Sequence, residues 1–232
     1  MKLSNEIKDV LNNFQSINSN IAIGEEGDFI RTMSVSKTLM AKANVIPETP
    51  HIWPYPFGIY DLGEFLACLN MFDDPTLSFD DDKKFVNITD GITSFKYYFS
   101  EIDILTVPTQ DINLECDDLH FTLTHEELNQ LRKASATLKT SNLSIRKSES
   151  ALFIECVILD KQNPTSNQFK MNVANCDINT SAEFDFVFDI NNFKFKPAAE
   201  YVFGIDKKQV ALIKAGNTDY WVALDKTTTY KE

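Results

Sequence analysis

Apolar residues recur along the chain in four short stretches that have the spacing of one helix face. The stretches begin at Ile7, Leu62, Leu128 and Ile190, which lie 55, 66 and 62 residues apart. Side chains three, four and seven residues apart lie on the same face of a helix. Between these stretches apolar and polar residues alternate with a period of two, which is typical of strands. The pattern therefore predicts a unit of one helix and several strands that is repeated four times.

The four predicted helices differ in the length of their apolar stripe. The first two stripes are continuous, and the third includes Ala134 and Ser135 among its leucines. The fourth keeps Ile190 and Phe193 before Pro197, which lacks a backbone N–H and interrupts a helix. Residues with a side-chain oxygen precede the first three helices and are predicted to be their N-caps. These N-caps are Ser4, Asp61 and Thr124.

Most of the remaining chain is predicted to form strands joined by short turns. The predicted strands are 21–23, 29–35, 39–45, 76–79, 84–89, 93–99, 143–147, 151–158, 168–176, 183–188, 201–205, 209–214 and 219–224. Two segments are interpreted as connections, because 46–58 is rich in proline and 100–119 has no clear turn signal. A chain of 232 residues is long enough for two ordinary domains. The second connection then divides it into domains 1–110 and 111–232.

The composition indicates a folded protein that stays in solution. Hydrophobic residues make up 43% of the chain, which is enough for a buried core and argues against disorder. No window resembles a signal peptide or a membrane-spanning apolar run, so we expect no membrane segment and an intracellular location. The four cysteines form no CxxC pair and are expected to be reduced thiols. The net charge of −12 argues against a protein that grips nucleic acid tightly through phosphate neutralisation.

The chain offers few residues for catalysis or metal binding. His120 and His125 are five residues apart across a predicted turn, and no third ligand stands at a metal-site spacing. Asp80–Asp82 lacks the alternating ligands, the central glycine and the closing glutamate of a calcium-binding loop. The sequence motifs of hydrolases, metalloproteases and nucleotide-binding loops are also missing. We therefore predict a protein that is not an enzyme and that needs neither a cofactor nor a metal.

Basic side chains are placed unevenly in this acidic chain. They concentrate on or beside three of the four predicted helices, away from the apolar stripes or at their edge. The residues concerned are Lys8, Arg132, Lys133, Lys139, Lys194 and Lys196. This placement favours a surface that faces a polyanion. The alternative is that these are ordinary solvated side chains.

Four short motifs are similar to those of a known family when their order and spacing are taken together. They are Met1-Lys2-Leu3-Ser4, Ile17-Asn18-Ser19, Ile59-Tyr60-Asp61-Leu62 and Asn192-Phe193-Lys194. On these motifs the chain resembles, from end to end, the sliding clamps of T-even-type bacteriophages, including cyanophage-like relatives.

The resemblance implies an α+β fold of two DNA-clamp domains, each with two helices packed on antiparallel sheets. Three such subunits are expected to close into a ring, with the helices lining a hole through which double-stranded DNA passes. The implied function is that of a processivity factor, which tethers the replicative DNA polymerase. A clamp loader and late-transcription factors are further implied partners, and the cytoplasm of the infected bacterial host is the implied location. The alternative function is a non-catalytic, protein-binding structural or assembly component of a phage.

Within this resemblance the basic residues named above are expected to face DNA, and Asn5 and Asn12 stand where the family carries lysines. The family also binds partner tails in an apolar pocket near the connection between the domains. The residues expected to form this pocket are Leu105, Val107, Pro108, Tyr220, Trp221 and Leu224. The alternative for these positions is that they are ordinary core and linker residues.

Overall fold

The computed structural model describes residues 1–24, 29–44, 53–109, 116–148, 153–163, 165–207 and 209–231. The chain forms two compact units, Met1–Asp111 and Ile112–Glu232. Part of the predicted connection 46–58 and the first residues of the predicted strand 151–158 lie outside the described residues. No helix in the described ranges is both long enough and apolar enough to cross a membrane.

The first unit contains two helices and two antiparallel sheets. Its elements are α1 (Asn5–Gln15), β1 (Ile21–Ile23), β2 (Phe29–Met33), β3 (Leu39–Asn44), β4 (Phe57–Ile59), α2 (Leu62–Asn70), β5 (Thr76–Phe79), β6 (Phe85–Thr89), β7 (Ser94–Tyr98) and a short 3₁₀ helix (Ile102–Ile104). One sheet has the order β3-β2-β1-β4, and the other has the order β5-β6-β7. The two helices pack against each other.

The two helices of the first unit begin at their predicted N-caps. The Ser4 hydroxyl accepts a hydrogen bond from the Ile7 N–H at 3.3 Å, and the Asp61 carboxylate accepts one from the Glu64 N–H at 3.0 Å. These bonds satisfy donors that have no partner inside the helix. The residues of the predicted stripes that lie within the two helices are buried, with Phe14 on α1 fully inaccessible. Phe72, the last residue of the second predicted stripe, lies beyond the end of α2 and is half-buried. The predictions for both helices are therefore confirmed.

The proline-rich segment of the first unit contributes to the core. Trp53 and Tyr55 are buried, and their rings meet Phe57 and Phe79 in edge-to-face contacts with centroids 5.3–6.3 Å apart. Aromatic pairs in this geometry add to the free energy gained from burial. The interpretation of 46–58 as a plain extended connection is wrong for its described end, where β4 also pairs with β1.

The described part of the second unit contains one α-helix and two antiparallel sheets of five strands each. Its elements are β8 (Leu119–Thr124), α3 (His125–Leu138), β9 (Asn142–Lys147), β10 (Ile154–Ile158), β11 (Phe169–Val173), β12 (Cys176–Ile178), β13 (Glu183–Asp189), a 3₁₀ helix (Ile190–Asn192), β14 (Glu200–Ile205), β15 (Val210–Ala215), β16 (Thr218–Ala223) and β17 (Thr229–Lys231). The sheet orders are β12-β8-β14-β15-β16 and β11-β10-β9-β13-β17.

Helix α3 has a strong start and an unusual end. The Thr124 hydroxyl accepts from the Glu127 N–H at 3.2 Å, and the Glu127 carboxylate accepts from the Thr124 N–H at 2.8 Å, which completes a capping box. Leu128 and Leu131 are fully buried. The helix ends at Lys139, which has a left-handed backbone with φ 54°. Glycine is the residue that usually takes this conformation.

The fourth predicted helix is a single 3₁₀ turn, so the described residues contain three α-helices and the second unit has one where two were expected. After Asn192 the chain has no regular secondary structure up to residue 198, and Phe193 and Phe195 are both buried. The Phe195 ring lies 4.9 Å from Tyr220 and 5.8 Å from Tyr201. Pro197, which lacks a backbone N–H, cannot continue a helix.

Candidate DNA-facing and partner-binding surfaces

The predicted DNA-facing residues have different environments. Lys8 lies half-buried on α1 beside the buried Ile7. No basic residue accompanies it on α2, whose first turn carries Glu64 after the Asp61 cap. The first unit therefore presents one basic side chain on its helices.

Arg132 on α3 has a structural role in the second unit. Its guanidinium is half-buried and donates a hydrogen bond to the Phe193 carbonyl, and Nη1 lies 3.5 Å from the Asn129 side-chain oxygen. Burial lowers the pKa of Arg132, and the nearby Tyr201 opposes this shift. Arginine donates through several N–H groups in a fixed plane, which suits a bond to a backbone carbonyl. Arg132 thus joins α3 to the irregular segment that follows the 3₁₀ turn.

Lys133 and Lys139 on α3 are exposed. Lys133 stands at the mouth of a groove of about 370 Å³ that lies between α3 and the start of β11. The groove is lined by Gln130, Lys133, Ala134, Thr137, Leu138, Gln168 and Phe169. Its walls are largely apolar, and Lys133 is the charged residue among the residues that line it.

Lys194 and Lys196 lie on the irregular segment that follows the 3₁₀ turn. They alternate in sequence with Phe193 and Phe195, which are buried. Lys194 is exposed, whereas the Lys196 ammonium donates to the Asn217 side-chain oxygen at 2.8 Å. The bond from Arg132 to Phe193 brings this segment beside α3. The structure therefore groups five of the predicted basic residues in the second unit.

In the first unit, two of the residues predicted to line a pocket are themselves buried. Leu105 and Val107 are 9% and 4% exposed and pack with Ala22 and Ile102. They hold the segment on the outer face of β1, and Pro108 beside them is half-buried. The exposed apolar residue of this segment is Ile104, at 67%.

The sequence prediction missed several neighbours of this segment. Arg31 lies directly opposite Ala22 in the sheet, so its side chain is on the same face. Met33 and Met40 form the next cross-strand pair on that face and are half-buried. Strand alternation in 29–33, with Ile30 and Thr32 buried, is the signal that could have identified them.

The second-unit half of the predicted pocket is divided between two faces of one sheet. Tyr220 is fully buried on the core side, where its hydroxyl accepts from the Lys196 N–H at 2.9 Å and burial raises its pKa. Trp221 lies on the opposite face, paired with Leu212, and its indole nitrogen has no hydrogen-bond partner among the described residues. Tyr220 is therefore a core residue, and Trp221 belongs to the outer face.

A small recess lies on this outer face of the second unit. It has a volume of about 220 Å³ and is lined by Cys116, Asp117, His120, Val202, Gly204, Leu212 and Lys214. Gly204 allows the chain to pass closely, since an added Cβ would lie 2.8 Å from the Cys116 carbonyl oxygen. Val202, at 45% exposure, is the most accessible apolar wall. The sequence prediction missed this recess.

The described residues hold no cluster of three or more His, Cys, Asp or Glu that could bind a metal ion. The nearest approach to a catalytic pair is His120 with Asp117, whose Nε2 and Oδ1 atoms are 3.4 Å apart. A single exposed pair of this kind lacks a nucleophile and a third group to orient it.

Comparison with known proteins identifies the family. A model of the C-terminal domain of gp45 sliding clamps matches residues 120–226. The sliding clamp of Vibrio phage KVP40 is 33% identical over 192 residues, which cover 81% of this chain and 83% of that protein. The chain belongs to the sliding clamp family. The sliding clamp of Escherichia phage RB69 is 26% identical over 234 residues, and the alignment covers 99% of each chain.

The fold of this sliding clamp is also similar to that of solved structures. Proliferating cellular nuclear antigen from Entamoeba histolytica aligns with a TM-score of 0.68 at 12% identity, covering 94% of each chain. The predicted family and the α+β clamp fold class are confirmed. Because sliding clamps are non-enzymatic processivity factors, the prediction that the chain is not an enzyme is also confirmed.

Proposed function

We propose that this protein is a bacteriophage sliding clamp that encircles duplex DNA as a homotrimer and tethers the replicative DNA polymerase. The observation that carries the proposal is the match to a phage sliding clamp along 99% of both chains. A match of that extent covers both compact units, and we propose that each is one clamp domain, with 1–110 and 111–232 as their approximate bounds. The cytoplasm of the infected bacterium is the compartment in which such a protein acts.

The basic residues of the second unit support contact with DNA. Lys133, Lys139 and Lys194 are exposed on α3 and on the segment joined to it. Lysine attracts phosphate without reading bases, which is the kind of contact that lets a ring slide. We propose these three residues, with Lys8 and Lys196, as the DNA-facing set. Arg132 supports the set by holding the segment in place.

Two edge strands support closure into a ring. In the described part of the first unit β7 pairs with β6 alone, while the other edge of this sheet, β5, is covered by Met1, whose carbonyl accepts from the Leu77 N–H at 2.7 Å. In the second unit β11 pairs with β10 alone among the described strands, and its Phe169 and Met171 are half-buried on the side of α3. Strand edges with unpaired backbone groups are ready to pair with another chain. We propose that β7 of one subunit pairs with β11 of the next.

Two outer surfaces support the docking of partner tails. They are the segment around Ile104 and Pro108 in the first unit and the recess lined by Val202 and Leu212 in the second. Exposed apolar side chains with polar neighbours are typical of protein-binding sites. We propose that polymerase, clamp loader and late-transcription factors use these surfaces.

The decisive experiment compares retention on circular and linear DNA. After loading, a ring should remain on a closed circle and slide off a linear fragment, and equal release from both would overturn encirclement. The mass in solution should correspond to three chains of 26.4 kDa.

A charge-reversal pair tests the DNA-facing set. Lys133→Glu with Lys194→Glu should reduce retention on circular DNA and leave the trimer intact. The matched control is Lys226→Glu with Lys231→Glu, which makes the same charge change at two exposed lysines outside the set. Equal retention in both double variants would remove Lys133 and Lys194 from the proposed surface.

A further inference from the structure

Two buried asparagine side chains form hydrogen bonds with the backbone of Thr106, which belongs to the same segment as Ile104. Asn18 and Asn20 are 9% and 8% exposed and belong to the link between α1 and β1. The Asn18 side-chain amide donates to the Thr106 carbonyl at 3.1 Å, and the Asn20 side-chain oxygen accepts from the Thr106 N–H at 2.9 Å. Both backbone groups of Thr106 are therefore bonded by side chains from a distant part of the chain.

The same asparagines are bonded to strand β2 and to the residue that follows β4. The Asn18 amide also donates to the Met33 carbonyl at 2.7 Å, and the Asn20 amide donates to the Tyr60 carbonyl at 2.6 Å. A buried polar side chain is costly unless its hydrogen bonds are made, so each amide has a strong preference for this one arrangement. The two asparagine side chains that bind the Thr106 backbone are therefore rigidly placed.

The hydrogen bonds from Asn18 and Asn20 fix the register of the segment that contains Thr106. Thr106 lies between Leu105 and Val107, whose side chains are buried against Ala22. Ile104 is 67% exposed and Thr106 and Pro108 are half-buried, so these three residues form the outward row. A shift of one residue would turn Leu105 and Val107 outward and take the Thr106 backbone away from both asparagines. The burial of the apolar side chains and the asparagine hydrogen bonds therefore specify the same register.

We propose that Asn18 and Asn20 are positioning residues that preform the outward row Ile104–Thr106–Pro108 for an apolar protein tail, which is an inference that rests on the proposed docking of partners on this segment. The tail is expected to carry acidic as well as apolar side chains. Arg31 and its cross-strand partner Lys42 lie on the same sheet face as Ala22, against which Leu105 and Val107 pack, so this face of the sheet is positively charged. A preformed surface binds more tightly because less conformational entropy is lost on binding.

The test uses the full-length clamp and the replicative DNA polymerase encoded by the same genome. Asn18→Ala and Asn20→Ala should each weaken polymerase binding to the clamp by about tenfold, the effect expected from losing one well-made buried hydrogen bond. Amide hydrogen exchange at Thr106 should accelerate in Asn20→Ala, which removes its acceptor. The mass of the assembly and its retention on circular DNA should stay unchanged.

Two further variants separate positioning from general destabilisation. Thr32→Val removes a buried hydrogen bond to the Asn20 carbonyl, of length 2.7 Å, but leaves the Thr106 bonds in place. It should lower stability and keep wild-type binding. Asn20→Asp retains an acceptor for the Thr106 N–H, so it should bind polymerase better than Asn20→Ala even where both lose stability. If Thr32→Val weakens binding as much as the asparagine variants, the positioning role is wrong.

Ile104→Asp distinguishes this inference from the docking proposal. If Ile104→Asp leaves polymerase binding unchanged, partners do not use this segment, and both ideas are wrong for this surface. If Ile104→Asp weakens binding and both asparagine variants bind normally despite faster exchange at Thr106, docking stands and the positioning inference is wrong. Should either alanine variant fail to fold, the comparison of Asn20→Asp with Thr32→Val decides the same question.

Discussion

The side chain of Leu105 occupies the space that a side chain on Gly58 would need. A Cβ added at Gly58 would lie 2.5 Å from Leu105 Cδ1 and 2.7 Å from the Ser100 carbonyl oxygen. The first of these contacts could be relieved by a rotation of Leu105, but the second is with backbone and cannot. The segment that carries Leu105 therefore crosses β4 where the strand has no side chain.

Gly58→Ala should lower the free energy of unfolding by about 1–3 kcal/mol, which is typical of forcing an extra group into a packed site. Urea unfolding monitored by circular dichroism measures the change. The matched control is Gly63→Ala on α2, where the nearest atom is the flexible end of Gln15 at 2.9 Å. This control should be neutral or should gain up to about 1 kcal/mol from helix propensity, and a larger loss in the control than at Gly58 would contradict the close approach.

Arg132→Lys should destabilise the protein although it keeps the positive charge. Lysine lacks the planar fork that reaches the Phe193 carbonyl, and a hydrogen bond that involves a charged group contributes about 1.5–3 kcal/mol. The neighbouring Lys133→Ala should change the unfolding free energy by less than about 0.5 kcal/mol, as is usual for an exposed side chain. Equal losses in the two variants would show that Arg132 has no special structural role.

Thr124→Ala should destabilise the second unit by removing one half of the α3 capping box. The expected loss is about 0.5–2 kcal/mol. Thr137→Ala on the same helix is the control, because its exposed hydroxyl bonds back to the Lys133 carbonyl inside the helix, and alanine there improves helix propensity. The two variants should differ in sign when their urea midpoints are compared.

Glu155 should make part of the stability of the second unit depend on pH. Hydrogen bonds from Lys170 and then Arg146 hold the pKa of Glu155 below its usual range, and partial burial opposes them. Its contribution is therefore complete above the unfolded pKa of about 4.3 and is lost as the pH falls through the lower folded pKa.

The corresponding variant is Glu155→Gln. It should be clearly less stable than the wild type at pH 6 and should approach the wild type as the pH is lowered below 4. Lys170→Met, which removes the shorter of the two bonds at 2.8 Å, should shift the acid-induced loss towards higher pH. A constant difference between the wild type and Glu155→Gln from pH 6 to pH 3 would contradict the ionised pair.

Lys139→Gly should stabilise the protein and weaken its contact with DNA. Glycine takes the left-handed conformation without the steric cost of about 1 kcal/mol that other residues carry. Lys139→Ala removes the same charge and keeps the cost, so it should lose DNA retention equally without gaining stability. Retention that is unchanged in both variants would remove Lys139 from the DNA-facing set.

Local patterns in the sequence were enough to predict the helices that begin at Ser4, Asp61 and Thr124. Each has an N-cap, and the α1 and α2 stripes are continuous, so neighbouring residues alone favour the helix. The pattern failed at Ile190, because the burial of Phe195 against Tyr201 and Tyr220 outweighs a short stripe. Strand β8 was missed because Leu119 was placed in the predicted connection 100–119 and the residues between it and the cap of α3 were interpreted as a turn.

The roles of single side chains depended on contacts that no local pattern contains. Arg132 bonds to a residue 61 positions away, and Asn18 bonds to one 88 positions away. Composition and spacing could place Arg132 on a basic helix, but they could not show that its guanidinium is used inside the fold. The burial of Leu105 and Val107 likewise depends on Ala22 in a distant strand.

The close approaches at Gly58 and Gly204 have a consequence for ionic strength. Both approaches depend on close packing between uncharged groups, which added salt does not screen. The attraction between lysines and phosphates, in contrast, falls steeply as salt is added. The two proposed activities of this clamp should therefore respond differently to electrolyte concentration. Moderate salt should weaken the attraction of the proposed DNA-facing lysines to phosphate, while the surfaces proposed for partner tails keep their shape.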